Sequence, residues 1–152
     1  MVLTFALGIM AVAALGHGQR AEVFRLQFQR FQGEYKASGS ASGVFNVKVV
    51  DSGAEISFTG SVASKEVKLH ATTAFDPKGE KQVATLEFDG RTFKGTALIE
   101  GQDMTLDVKE GDQSRRLLIH RVGRSQGVFT LFQRQGNKPE TEIFRVSGKR
   151  SG

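Results

Sequence analysis

The chain has no cysteine and no tryptophan, one tyrosine and two prolines in 152 residues. Without a thiol there can be no disulfide framework, thiolate zinc site, iron–sulfur cluster, cysteine nucleophile or acylated lipoprotein cysteine. The compartment is left open, because exported proteins also occur without disulfides. The scarcity of tryptophan and tyrosine removes the usual platforms on which the bases of single-stranded nucleic acid stack, so nucleic acid is the least favoured partner.

Reactive groups are also few. Three histidines are present. His17 lies next to an apolar leader, and His70 falls on the polar face of a strand pattern, opposite Leu69 and Ala71. His120 is ambiguous, because Leu117, Leu118 and Ile119 blur the alternation around it; facing inward it would be a candidate ligand for a cofactor such as haem, and otherwise a buried or edge histidine. The run GSASG holds Ala41 where a nucleophile elbow would need serine. Asp103 with Asp107, and Glu87 with Asp89, alternate with apolar residues and read as solvated strand faces rather than as a general acid and base. The expectation is a non-enzymatic protein with no metal and no cofactor.

What the chain does have is twelve phenylalanines and eighteen glycines. Residues 1–16, MVLTFALGIMAVAALG, form an uncharged apolar run, short for a membrane span and of a length suited to a signal peptide. Ala14 and Gly16 are placed for cleavage after Gly16. No Lys or Arg precedes the run, so a membrane anchor or a buried first element are the alternatives. The signal-peptide reading predicts export to the periplasm or the extracellular space.

From residue 34 onward turn signals recur every 10 to 14 residues: DSG, ASKE, DPKG, DG, EG, EGD, RSQG and QGNKP. Both prolines, Pro77 and Pro139, fall inside them, where a missing N–H does no harm. Between the turns apolar residues alternate, as in Ile56, Phe58, Gly60 and Val62 or Met104, Leu106 and Val108, a period of two that marks strands buried on one face. Ten strands are predicted, at about 34–39, 43–50, 54–62, 66–75, 82–89, 92–100, 103–110, 115–122, 127–134 and 141–148. The short connections between neighbours favour an all-β, up-and-down antiparallel barrel of 8–10 strands over a Greek-key sandwich, and closure removes exposed edges.

Ahead of the strands, Phe24, Phe28 and Phe31 are spaced as one stripe of a helix, with Gly33 where a C-terminal cap would lie. The alternation of Phe24, Leu26 and Phe28 also suits a strand. The helix is the preferred reading, with residues 17–33 forming a lid whose phenylalanines dock inward over a barrel domain at 34–150.

Charge is uneven along the chain. Residues 17–37 are net +2, residues 38–114 net −4 and residues 115–152 net +7. Arg115, Arg116, Arg121, Arg134 and Arg145, together with Arg25 or Arg30 of the lid, are the candidate patch for an anionic envelope surface such as phospholipid or lipopolysaccharide. The simpler reading of these residues is solubility and pairing with the acidic middle strands.

The layout from FQGEYKASG through the meander to TEIFRVSGKR resembles the lipocalin-like (calycin) barrels, in particular small exported bacterial members. In lipocalins a short helix leads into a GxW motif whose ring closes one end of the barrel. Gly33, Glu34 and Tyr35 stand in that place, with tyrosine for tryptophan. The hairpin GTALIEGQDMTLDV is similar to one in exported polyisoprenoid-binding barrels. Both resemblances imply an interior cavity for a small apolar or amphipathic ligand, with Phe45, Phe58, Leu69, Phe88, Phe93, Leu106 and Phe129 as the candidate lining. The alternative is an envelope module with a filled barrel that presents its basic C-terminal strands.

Overall fold

The structure, a computed structural model, describes residues 17–38 and 41–151. The predicted leader, residues 1–16, lies outside the described residues. Among the described residues a helix, α1 (His17–Gln29), is followed by ten strands: β1 (Gly33–Ser38), β2 (Ala41–Val50), β3 (Gly53–Val62), β4 (Lys65–Asp76), β5 (Lys81–Phe88), β6 (Arg91–Glu100), β7 (Asp103–Glu110), β8 (Gln113–Val122), β9 (Gln126–Gln135) and β10 (Thr141–Arg150). Each strand pairs antiparallel with the next, and β1 pairs with β10 to close the barrel. The up-and-down barrel predicted from turn spacing is the fold.

Tight turns set the register. The β5–β6 hairpin turns on Asp89 and Gly90, with φ of 56° and 74°, and β3–β4 turns on Ala63 and Ser64 at 52° and 65°. Two consecutive residues with positive φ give the turn whose twist matches the flanking strands. Registers then run without a slip across most of the barrel; the irregularity is between Glu142 and Phe144 of β10.

The two ends of the barrel differ. At one end α1 lies across the opening, with Phe28 and Phe31 fully buried and Phe24 packed on Phe75, ring centroids 5.4 Å apart. Arg20 ion-pairs with Glu80, and the Arg30 guanidinium donates to the carbonyl of Gly101, so both ends of the segment are tied to barrel turns. The helix closes in a tighter turn, with N–H of Arg30, Phe31 and Gln32 each bonded three residues back, a common way to satisfy the last carbonyls. It ends at Gln29, four residues before Gly33, so Gly33 is not its cap. Gly33 opens β1, where an added Cβ would lie 2.4 Å from Cδ of Arg150. The Arg150 guanidinium reaches back to the carbonyls of Arg30 and Gln32, at 3.3 and 3.1 Å, and latches the plug to the last strand.

The lumen is filled by aromatic rings. Tyr35 stacks on Phe45 (4.7 Å, 8°), Phe45 meets Phe129 (4.7 Å), and Phe58 meets Phe144 (5.6 Å). Phe88 of β5 and Phe144 of β10 come within 6.2 Å although they stand on opposite sides of the ten-strand ring. Contacts across the full width mean a barrel packed like a protein interior along its middle.

Candidate binding site

Among the described residues, the end opposite α1 carries no plug. Strand alternation decides what lines it: Val62, Val67, Phe88 and Arg91 share the inward parity of Phe58, Leu69, Leu86 and Phe93. A recess of about 1150 Å³ runs from the outer rim of β3, β4 and β5 over Val62, Val67 and Phe88 to Arg91, Arg115, Ile143 and Phe144. Its deepest apolar members, Phe88 and Phe144, rest on the aromatic core through Phe58. It is an amphipathic opening with an apolar floor and a charged rim, in which Arg91 and Arg115 stand among Glu66, Glu87 and Asp89.

Arg115 is the residue that gives this opening chemistry. It pairs with Val108 in the β7–β8 register and therefore points inward, one step above Leu117 and Ile119, both fully buried. Its guanidinium lies over the Phe93 ring, 4.7 Å from the centroid, a cation–π contact that a ring face favours. Nη1 donates to the Ser114 carbonyl at 3.0 Å and Nη2 to Oε1 of Gln113 at 3.3 Å, while Nε is buried with no partner. Burial pushes its pKa down, nearby Arg91 adds to this, and Asp89 and Glu110 oppose it. With Nε sealed off, the Nη edge of this partly desolvated cation is the part an oxyanion in the recess would meet. Arg91 stands beside it, 4.0 Å from Glu110.

Of the residues predicted to line a cavity, Phe45, Phe58, Phe93, Leu106 and Phe129 point inward with no exposure, and Leu69 has almost none. They form the packed middle of the barrel. Phe88 alone of the seven is half-buried and reaches the rim recess. The predicted basic patch is divided among separate places. Arg25 pairs with Glu22 on α1, at 3.0 Å. Arg30 and Arg121 flank the plug, each 5.9 Å from the Phe31 ring centre. Arg115 lines the rim, Arg116 and Arg134 lie on the outer wall, and exposed Arg145 pairs with Glu142.

His120 faces outward, exposed, with Nδ1 2.5 Å from Oδ1 of Asp103 on β7. The inward, cofactor-binding alternative is thereby removed. His70 is likewise on the outer face, 3.7 Å from Glu55. Among the described residues no three His, Asp or Glu side chains gather as a metal site would require.

The reading from sequence missed Arg91 and Phe144 as rim residues. A usable signal existed in both hairpins. Counting back across the two-residue turns Asp89–Gly90 and Gly111–Asp112 puts Arg91 opposite Phe88 and Arg115 opposite Val108. Phe144 was hidden by the bulge beside it.

No family model matches the chain, and no curated protein is significantly similar to it.

Proposed function

We propose that the protein is a non-enzymatic, exported binding barrel that takes an anionic amphiphile at its open rim. The apolar part of the ligand lies on Phe88, Phe144, Ile143 and Val62, and its acidic head pairs with Arg115. The carrying observation is Arg115 itself: inward-facing, held over Phe93 and lining the apolar recess. Apolar contact contributes about 25 cal/mol for each Å² removed from water, before the cost of ordering. The charged pair adds orientation, because a guanidinium accepts a carboxylate or phosphate on two parallel N–H groups.

The layout shared with lipocalin-like barrels supports the same reading, with one difference in placement. In this chain the lumen is occupied by its own phenylalanines, so the ligand sits above them rather than among them. Native mass spectrometry of detergent-free protein, together with titration of a fluorescent fatty acid, tests the proposal. Saturable binding at one site per chain is expected; no retained and no bindable amphiphile would overturn it.

A further inference from the structure

A second recess lies on the outside of the barrel, across β6, β7, β8 and β9. It has a volume of about 420 Å³, and its lining holds the cations Lys94, Lys109, Arg115, Arg116 and Arg134 together with Asp107 and Glu140. This recess is on the outer face, since Lys94 and Lys109 have the outward parity of Thr96 and Asp107.

The register places like charges together. Lys94 is directly opposite Lys109, Lys109 is opposite Ser114, and Ser114 is opposite Arg134. One row across four adjacent strands thus reads Lys, Lys, Ser, Arg, with no acid in it. Directly opposed like charges destabilise an antiparallel pair. Among the described residues Lys94 and Lys109 form no ion pair and Arg134 makes no direct one, although it is near enough to Glu140 to help hold that carboxyl down; Arg116 is held by Glu140, Nη2 to Oε1 at 2.7 Å and Nε to Oε2 at 3.1 Å. Arg116 is further fixed over the Phe132 ring, 4.3 Å from its centre. The floor is shaped by Gly95, where an added Cβ would lie 1.9 Å from the Asp107 carbonyl oxygen, so β6 and β7 approach closely beneath the lysines.

We infer that this outer recess is a binding site for a phosphate-class oxyanion carried by a small soluble molecule, gripped by Lys94, Lys109 and Arg134 with the Ser114 hydroxyl between them. Several cations around one concavity suit a group with several acceptor oxygens and more than one negative charge. Asp107 and Glu140 border the cations, so a broad anionic surface would meet acid as well as base. A compact anion seated within the row meets the cations alone. Arg115 borders both recesses, but Lys94, Lys109 and Arg134 line this one and not the rim.

Pyrophosphate is the probe. Titration of the full chain at low ionic strength, followed by phosphorus NMR and calorimetry, is expected to show saturable binding that weakens with added salt. The double variant Lys94→Gln/Lys109→Gln weakens it about tenfold or more, equivalent to losing a charged contact. Lys48→Gln/Arg124→Gln, which removes the same charge elsewhere, leaves the affinity within about twofold. Equal losses in the two double variants would mean non-specific attraction and overturn the inference, as would failure to saturate in the millimolar range. Lysine-dependent binding to phosphatidylglycerol vesicles without any binding of pyrophosphate would also overturn it, in favour of a lipid headgroup. A circular dichroism spectrum unchanged in Lys94→Gln/Lys109→Gln, with a melting temperature no lower than the parent's, secures the comparison.

Discussion

The hydroxyl of Tyr35 donates a 2.7 Å hydrogen bond to the carbonyl of Phe31, tying the first strand to the last turn of the plug. The ring of the same tyrosine stacks on Phe45 across β1 and β2. Its position after Gly33 therefore joins two functions: closing one end of the barrel and satisfying a carbonyl buried beneath it. Tyr35→Phe keeps the stack and removes the donor, leaving that carbonyl unpaired. A loss of about 1–3 kcal/mol is expected in urea unfolding.

The same group makes stability depend on pH at the alkaline end. Burial raises the Tyr35 pKa above its ordinary value, with Arg150 and Arg121 opposing the shift. The folded state holds the phenolic proton at pH values where the unfolded chain has begun to lose it. This contribution is thus complete below about pH 10, the unfolded value, and declines as pH rises toward the folded one. In Tyr35→Phe this part of the alkaline decline disappears, which a denaturation series from pH 8 upward would record; an unchanged slope would contradict the assignment.

Gly148 gives the aromatic stack its seat. A Cβ there would lie 2.7 Å from Cε1 of Phe45 and 3.1 Å from Cβ of Tyr35. Both rings are fully packed and have little room to yield. Gly148→Ala is expected to cost about 1–3 kcal/mol, as overpacking does, measured as a lower melting temperature with the barrel's circular dichroism retained.

The Arg116–Glu140 pair behaves differently, because it is a third exposed. Hydrogen bonding to Arg116 holds the Glu140 carboxyl below its ordinary range. The pair's contribution is present above the unfolded carboxyl value and is lost as pH falls through the folded one. Arg116→Gln should lower stability at neutral pH by no more than about 1 kcal/mol, and the difference from the parent should shrink on acidification. A cost comparable to that of Gly148→Ala would contradict this.

Arg115 tests whether the rim cation serves the fold or a ligand. Its Nε is buried without a partner and the residue is partly desolvated, so replacement by an apolar residue of similar length removes as much cost as benefit. Arg115→Met is expected to change unfolding free energy by less than about 1 kcal/mol. A large loss would make Arg115 a structural residue.

Much of the barrel could be read from residues alone because its turns are short and its strands have one face each. The DG at Asp89–Gly90 and the alternation of Phe93, Gly95, Ala97 and Ile99 fix a hairpin and its inward face together. The stripe of Phe24, Phe28 and Phe31 likewise identified the plug. The helix end was misplaced because Gly33, which reads as a cap, instead opens β1 with a φ of 152° and packs against the Arg150 side chain from the far end of the chain. The division of the basic residues was hidden for a related reason. Arg115 and Arg116 are neighbours in sequence but face opposite sides of the wall, and in the run Arg115–Ile119 three consecutive apolar residues, Leu117, Leu118 and Ile119, conceal which side is which. The filling of the lumen depends on rings meeting from opposite strands, as Phe88 and Phe144 do, and no local pattern carries that information.

The central claim is that Arg115 selects an anionic amphiphile at the open rim. Its most direct test is a calorimetric comparison of a fatty acid with the alcohol of equal chain length, on the parent protein and on Arg115→Met. The parent should bind the acid about tenfold or more tightly than the alcohol, and Arg115→Met should bind both with the affinity the parent has for the alcohol. Equal binding of acid and alcohol by the parent, or a preference for the acid that survives in Arg115→Met, would contradict the account.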